Sequence, residues 1–189
     1  YLPLGLPALR ARIAQWHTTS GLPTTPEQIA ITNGAQHAIS LIARLLVRSG
    51  DQVLVESPTY PGAIDAFTRA GATLTAVSTD GAGARIDAIG RAVPGARLAY
   101  VMPSFHNPTG SVMPEGRRRE LAGTAGRGDV WVIEDNCLDH LWYHQPPPPA
   151  VAAFARGEHI ISIGSLSKLF WGGMRIGWLR ADPATINRI

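Results

Sequence analysis

Apolar positions along the chain follow two alternating rhythms. Within residues 34–47, Ala35, Ala38, Ile39, Ile42, Leu45 and Leu46 recur at three- and four-residue intervals and so share one face of a helix. Leu9, Ile13 and Trp16 predict a helix over 7–19 that ends near Gly21. Helices are also expected over 61–70, 86–93 and 114–126, the last with a proline suited to a first turn. Between these helices lie short apolar runs at 28–32, 53–56, 73–77, 98–102, 130–134, 160–163 and 176–179. Runs of that length, bounded by turns such as Gly50-Asp51, read as strands buried on both faces. Pro146 to Pro149 reads as an extended surface loop, followed by a short helix at 150–155. This alternation predicts an α/β fold, a mostly parallel sheet with helices on both faces. No repeat or interdomain linker interrupts it, so residues 1–189 read as one domain.

Composition narrows the picture. A hydrophobic share of 45% with 16% charged residues supports a packed core and excludes a disordered chain. The net charge of +3 is too small and scattered to indicate nucleic-acid binding within this chain. The one basic run, Arg117-Arg118-Arg119, reads as a solvated helix face. A single cysteine, Cys137, excludes an internal disulfide framework and a cysteine-built zinc site, and no metal site is expected. No apolar stretch approaches the roughly 20 residues that span a bilayer, and the start is not a signal peptide, so a cytoplasmic location is expected. The chain does not begin with Met and is expected to be part of a longer protein. Of 17 basic side chains only Lys168 is a lysine. Lysine can lose its proton and act as a nucleophilic amine, which arginine cannot.

In a parallel sheet with helices on both faces, ligands bind beyond the carboxyl ends of the strands, and the residues there differ in kind. Thr32-Asn33-Gly34-Ala35-Gln36 opens a helix and outlines a phosphate cradle. Two prolines in Glu56-Ser57-Pro58-Thr59-Tyr60-Pro61 fix a loop that presents Tyr60, either to stack on a flat ligand or to cap the core. Asn107, held extended by Pro108, offers an amide, and His106 beside it is either an acid–base group or structural. Glu134 and Asp135 end an apolar run and point to opposite faces; a carboxylate buried there needs a cationic partner. Last come Ser165, Ser167, Lys168 and Arg175, hydroxyls and a guanidinium around the lone amine. An anion cradle, an aromatic, an amide, a carboxylate and a reactive amine together suit one chemistry. It is a flat, phosphorylated aldehyde held as an imine on lysine, pyridoxal 5'-phosphate (PLP).

The motifs carrying these residues resemble the large domain of the fold-type-I PLP-dependent aminotransferases, class I/II. Ser165-Leu166-Ser167-Lys168 with Arg175 and Gly177 is similar to that family's PLP-lysine motif, and Asn107-Pro108-Thr109-Gly110 to its Asn-Pro-Thr-Gly loop. Tyr1-Leu2-Pro3-Leu4-Gly5 resembles its N-terminal segment. The resemblance implies a seven-stranded sheet whose last strand is antiparallel. It implies that Lys168 forms the imine, Asp135 pairs with the pyridinium nitrogen, Asn107 meets the ring oxygen and Tyr60 stacks on the ring. It places the phosphate at Gly34, the N–H groups of Ala35 and Gln36, Ser165, Ser167 and Arg175. It also implies amino-group transfer between an amino acid and a 2-keto acid, with freed Lys168 moving the proton, and a homodimer in which Tyr1 approaches the partner's phosphate.

Glu56-Ser57-Pro58-Thr59-Tyr60-Pro61-Gly62 and Gly164-Ser165-Leu166-Ser167-Lys168, followed by Trp171-Gly172-Gly173, resemble the MocR-type regulators more narrowly. Those join a winged-helix DNA-binding domain to an aminotransferase-like domain. That resemblance implies a PLP-responsive effector domain, with DNA bound by a domain outside this chain. Both resemblances imply a C-terminal small domain that is also outside it. Cys137 and Leu138 occupy positions where the family usually places a tyrosine beside the ring oxygen.

Overall fold

The computed structural model describes residues 2–127, 130–155 and 159–189. Among them eight strands form one sheet: β1 (Ile29–Thr32), β2 (Gln52–Ser57), β3 (Thr73–Asp80), β4 (Gly83–Ala84), β5 (Ala96–Val101), β6 (Trp131–Asp135), β7 (Ile160–Ser165) and β8 (Gly177–Arg180). Their order across the sheet is β1-β8-β7-β6-β5-β2-β3-β4. Neighbours from β7 through β6, β5 and β2 to β3 pair in parallel, in registers such as Ile133 with Ile161 and Tyr100 with Ile133. β8 runs antiparallel between β7 and β1, as the family resemblance implies for the last strand. The eighth strand is β4, a two-residue return pairing antiparallel with the end of β3. Two residues carry no periodicity, which is why the sequence predicts seven.

Among the described residues six α-helices flank the sheet: α1 (Pro7–Thr19), α2 (Ala35–Leu46), α3 (Pro61–Arg69), α4 (Ile86–Ala92), α5 (Glu115–Arg127) and α6 (Pro183–Ile186). One face packs Val53, Val55, Leu98, Tyr100, Ile133, Ile161 and Leu179 under α2, α3 and α6. The other packs Leu54, Ala99, Val101 and Val132 under α4, α5 and a 3-10 turn at Val151–Phe154, where the sequence predicts a short helix. On that second face α1 sets Ile13 and Ala14 against Ile29 and Trp178. Ile133 and Val132, like Leu179 and Trp178, alternate between the faces as pleated neighbours must.

The arginine run departs from a solvated face. Arg117 pairs with Asp80 and Arg119 with Glu115, but Arg118 is fully buried. Successive helical residues diverge by about 100°, so the middle side chain turns inward. There it donates to the carbonyls of Met113, Pro103, Pro148 and Pro149 and to Ser104 Oγ. Arg118 thereby ties the proline loop to α5. At the other end of the chain, Ile31 N–H donates to the Leu4 carbonyl at 3.0 Å, which lays the first residues along β1. The expected approach of Tyr1 to a partner lies outside the described residues.

Candidate functional site

Every residue expected at the site follows the carboxyl end of a strand, except Ser165 and Asp135, which are the last residues of theirs. At the edge between β1 and β8, Thr32 is in register with Gly177 and α2 starts immediately beyond. Gly34 precedes α2 with φ +78°, a conformation glycine adopts without strain. No side chain caps α2, so the N–H groups of its first turn face outward without a protein acceptor from a cap. A Cβ on Gly177 would sit 2.6 Å from the Gly34 carbonyl carbon, so β8 and the start of α2 touch backbone to backbone. Arg175, with φ +52°, donates from Nη2 to the Asn33 carbonyl at 3.1 Å, and its guanidinium lies over Gly34.

The two serines divide their roles. Ser165 Oγ donates to the Ile176 carbonyl at 3.2 Å and accepts from Ser167 N–H at 3.2 Å, so its proton is committed to the loop. Ser167 Oγ is buried with no partner. Free helix N–H groups, a guanidinium and an orphaned hydroxyl around a floor without side chains fit a phosphate group.

Asp135 ends β6, is 3% exposed and points to the α2 face. Its Oδ2 accepts from the Tyr100 hydroxyl at 2.6 Å and its Oδ1 from the Cys137 N–H at 3.0 Å. A carboxylate has about four acceptor positions, so this one retains capacity for a further donor such as a pyridinium. Burial, then the adjacent Asp135 charge, pushes the Tyr100 hydroxyl well above its ordinary pKa. The same causes push up the Cys137 thiol, while Lys168 acts on it in the opposite direction. Asp135, Cys137 and Lys168 thus share one electrostatic neighbourhood. Glu134 points to the other face, as alternation requires, and accepts from the N–H groups of Val151 and Ala152 and from Ser162 Oγ.

Tyr60 precedes α3 and is half-buried beside the core under α2. Gln36 Nε2 donates to the Gly62 carbonyl at 2.8 Å and fastens the start of α2 to that of α3. A side chain at Gly62 would collide with the Tyr60 ring and the Gln36 amide. Asn107 is exposed, and its peptide bond to Pro108 is cis, as is Ser57–Pro58. His106, 1% exposed, anchors the Asn107 loop. Its N–H donates to the Ser111 carbonyl, its Nδ1 lies 2.9 Å from Thr109 Oγ1, and its Nε2 is 3.1 Å from Glu56 Oε2, off the line of a hydrogen bond. Glu56 also accepts from Met102 N–H at 2.7 Å. The structural reading of His106 is therefore the one that fits. Lys168 is exposed on the turn after β7.

Sequence reasoning missed Tyr100 and the Glu56–His106 clamp. Tyr100 lies inside an apolar run and reads as core, and its partner is 35 positions away. The only signal was a hydroxyl on a strand flanking the one that ends in Asp135.

Residues 1–189 match the profile of aminotransferase class I and II. The chain is 31% identical over 196 residues to aromatic-amino-acid aminotransferase 1 of Thermococcus litoralis, covering 98% of this chain and 46% of that one. It is 33% identical over 189 residues to an HTH-type transcriptional regulator of Bacillus subtilis, covering 99% and 39%. Among solved structures, alpha-aminoadipate aminotransferase from Thermus thermophilus, complexed with N-(5'-phosphopyridoxyl)-L-leucine, superposes with a TM-score of 0.91 at 30% identity, over 98% of this chain and 48% of that one. The chain thus spans less than half the length of these relatives. By its full-length match and its fold, it belongs to the class I and II aminotransferase family.

Proposed function

We propose that this chain is the PLP-binding large domain of an aminotransferase, with Lys168 as the lysine that carries the cofactor. The supporting observation is that the only lysine stands beyond the carboxyl end of β7, on the edge of the sheet that bears Asp135 and the anion cup. In this reading Gly34, the N–H groups of Ala35 and Gln36, Ser167 and Arg175 hold the phosphate. Ser165 contributes chiefly by fixing Ser167. Asp135 pairs with the ring nitrogen, Tyr60 covers one face of the ring and Asn107 meets its oxygen. When bound, PLP supplies an electron sink for charge developing at the substrate's alpha carbon. Lys168 Nζ takes the proton from that carbon as general base and returns one as general acid. Tyr100 and the Cys137 N–H hold Asp135 in place. The outcome is transfer of an amino group between an amino acid and a 2-keto acid. The remaining substrate contacts belong to parts of the protein outside this chain, and the working form is a cytoplasmic homodimer.

Borohydride reduction of the complete PLP-loaded protein, followed by peptide mapping, tests the central assignment. The expected result is a pyridoxyl group on Lys168, and a Lys168→Arg variant that folds but loses the visible absorbance. A label on the N-terminal amine alone overturns it.

The relatives that are HTH-type regulators favour a second reading, a PLP-responsive effector domain of a MocR-type regulator with little or no turnover. A winged helix encoded upstream, with DNA binding that responds to PLP, distinguishes it from the first.

A further inference from the structure

The sheet face opposite Asp135 and α2 carries a separate cavity of about 380 Å³, within the range that suits a small organic molecule. Trp178 and the backbone of Gly164 form its floor. Trp16 of α1, the turn after β6, Trp142 and the prolines at 146–149 form its walls. None of its side chains has a role in the site described above.

Its lining combines indoles and imidazoles with two acceptor oxygens that lack donors. His17 accepts from Trp178 Nε1–H at 2.8 Å, and burial holds its pKa down to about 4, with Arg180 and His140 adding to the shift. His140 stacks on Trp16 with centroids 4.3 Å apart, and burial lowers its pKa too. Both imidazoles are therefore neutral at neutral pH. Of the nearby guanidiniums, Arg118 is engaged on carbonyls and Ser104, whereas Arg180 reaches the Pro23 carbonyl only at 3.4 Å and keeps its Nε without a partner. Asn136 and Asp139 also line the cavity, and each has its Oδ1 buried with no hydrogen-bond partner. The cavity thus offers two acceptor side chains short of donors, among indole faces. A purely apolar guest leaves both oxygens unpaired. A cation with N–H groups satisfies them and is attracted to the indole rings.

We propose that this cavity binds a small organic ammonium ion with a flat body, its N–H directed to Asp139 and Asn136 and its body against Trp16 and Trp142. It lies across the sheet from Asp135, so its occupant is distinct from the amino compound undergoing transfer, and the proposal holds whether or not the chain binds PLP.

The test uses the complete, PLP-loaded protein and N,N-dimethylbenzylamine, a tertiary amine that forms no imine with an aldehyde. Calorimetry at pH 7 should show saturable binding, one site per subunit. Asp139→Asn should weaken it at least about tenfold, whereas benzyl alcohol should bind wild type and variant alike. Burial raises the Asp139 carboxyl to about 8, so it is protonated at pH 7 and the bound cation expels that proton. The binding heat should therefore vary with buffer ionisation enthalpy in wild type and not in Asp139→Asn. Trp142, 45% exposed, can be replaced without disturbing the core, so Trp142→Ala provides a second check and should also weaken the amine. Absence of saturable heat up to millimolar amine overturns the proposal. So does affinity unchanged in both variants, displacement of the amine by PLP, or a crystal with the amine in which only water meets Asn136 and Asp139.

Discussion

Asp135 is held from two directions, by a phenol and a backbone N–H, in a way that leaves one side open. The phenol is the larger lever. Tyr100→Phe removes a hydrogen bond to a charged group and should cost about 1.5–3 kcal/mol of stability, measurable by denaturant titration of the complete protein. Two other residues give stability a pH signature. Burial raises the Asp139 carboxyl from an ordinary 3.8 to about 8 in the folded state and lowers the His17 imidazole from 6.5 to about 4. Between about 4 and 6.5 the folded state binds the extra proton at Asp139 while the unfolded state binds the extra one at His17, and the two slopes oppose. From 6.5 to 8 only Asp139 acts, so its contribution falls with rising pH, by up to about 2 kcal/mol. Asp139→Asn should therefore be flatter than wild type across that window in thermal melts. The candidate site was legible at this scale wherever a residue stood at a strand end, as with Lys168, Asp135 and Gly34. Ser165 was legible as a site residue, but not its commitment to the Ile176 carbonyl, because that partner lies in the next strand's approach.

At the scale of elements, the contact that matters most is α2 against β8. Gly177 leaves no room for a side chain beside Gly34. Gly177→Ala should separate the start of α2 from the sheet and cost about 1–3 kcal/mol by overpacking. It should also weaken PLP binding, read by absorbance titration. Hydrophobic rhythm located every main strand and every helix of seven or more residues within about two residues, except β3, which runs three residues further to Asp80. That extension is half-exposed, so it lacks the apolar run that marks the rest. β4 and α6 were illegible, since two and four residues are too few to show a period. The inward turn of Arg118 was illegible too, because its acceptors come from two loops distant in sequence.

For the whole molecule, the expected homodimer has a physical motive. Phe170 and Trp171, just beyond Lys168, are each 68% exposed, and clustered exposed aromatics mark interaction surfaces. The complete protein should sediment as a dimer at micromolar concentration, and Trp171→Glu should shift it toward monomer. A strict monomer that binds PLP tightly would count against a site shared between subunits. The seam at the sheet edge carries a consequence of another kind. Arg175 and Asn33, which meet over the start of α2, are 142 positions apart. During synthesis the first half of the cup leaves the ribosome long before the second. A nascent chain stalled before residue 175 displays the start of α2 without the arginine or the glycine wall, and has no complete place for an anion. In the proposed reading, capture of a phosphate there is a late event in the life of the polypeptide, a chemical signature that its two distant stretches have found each other.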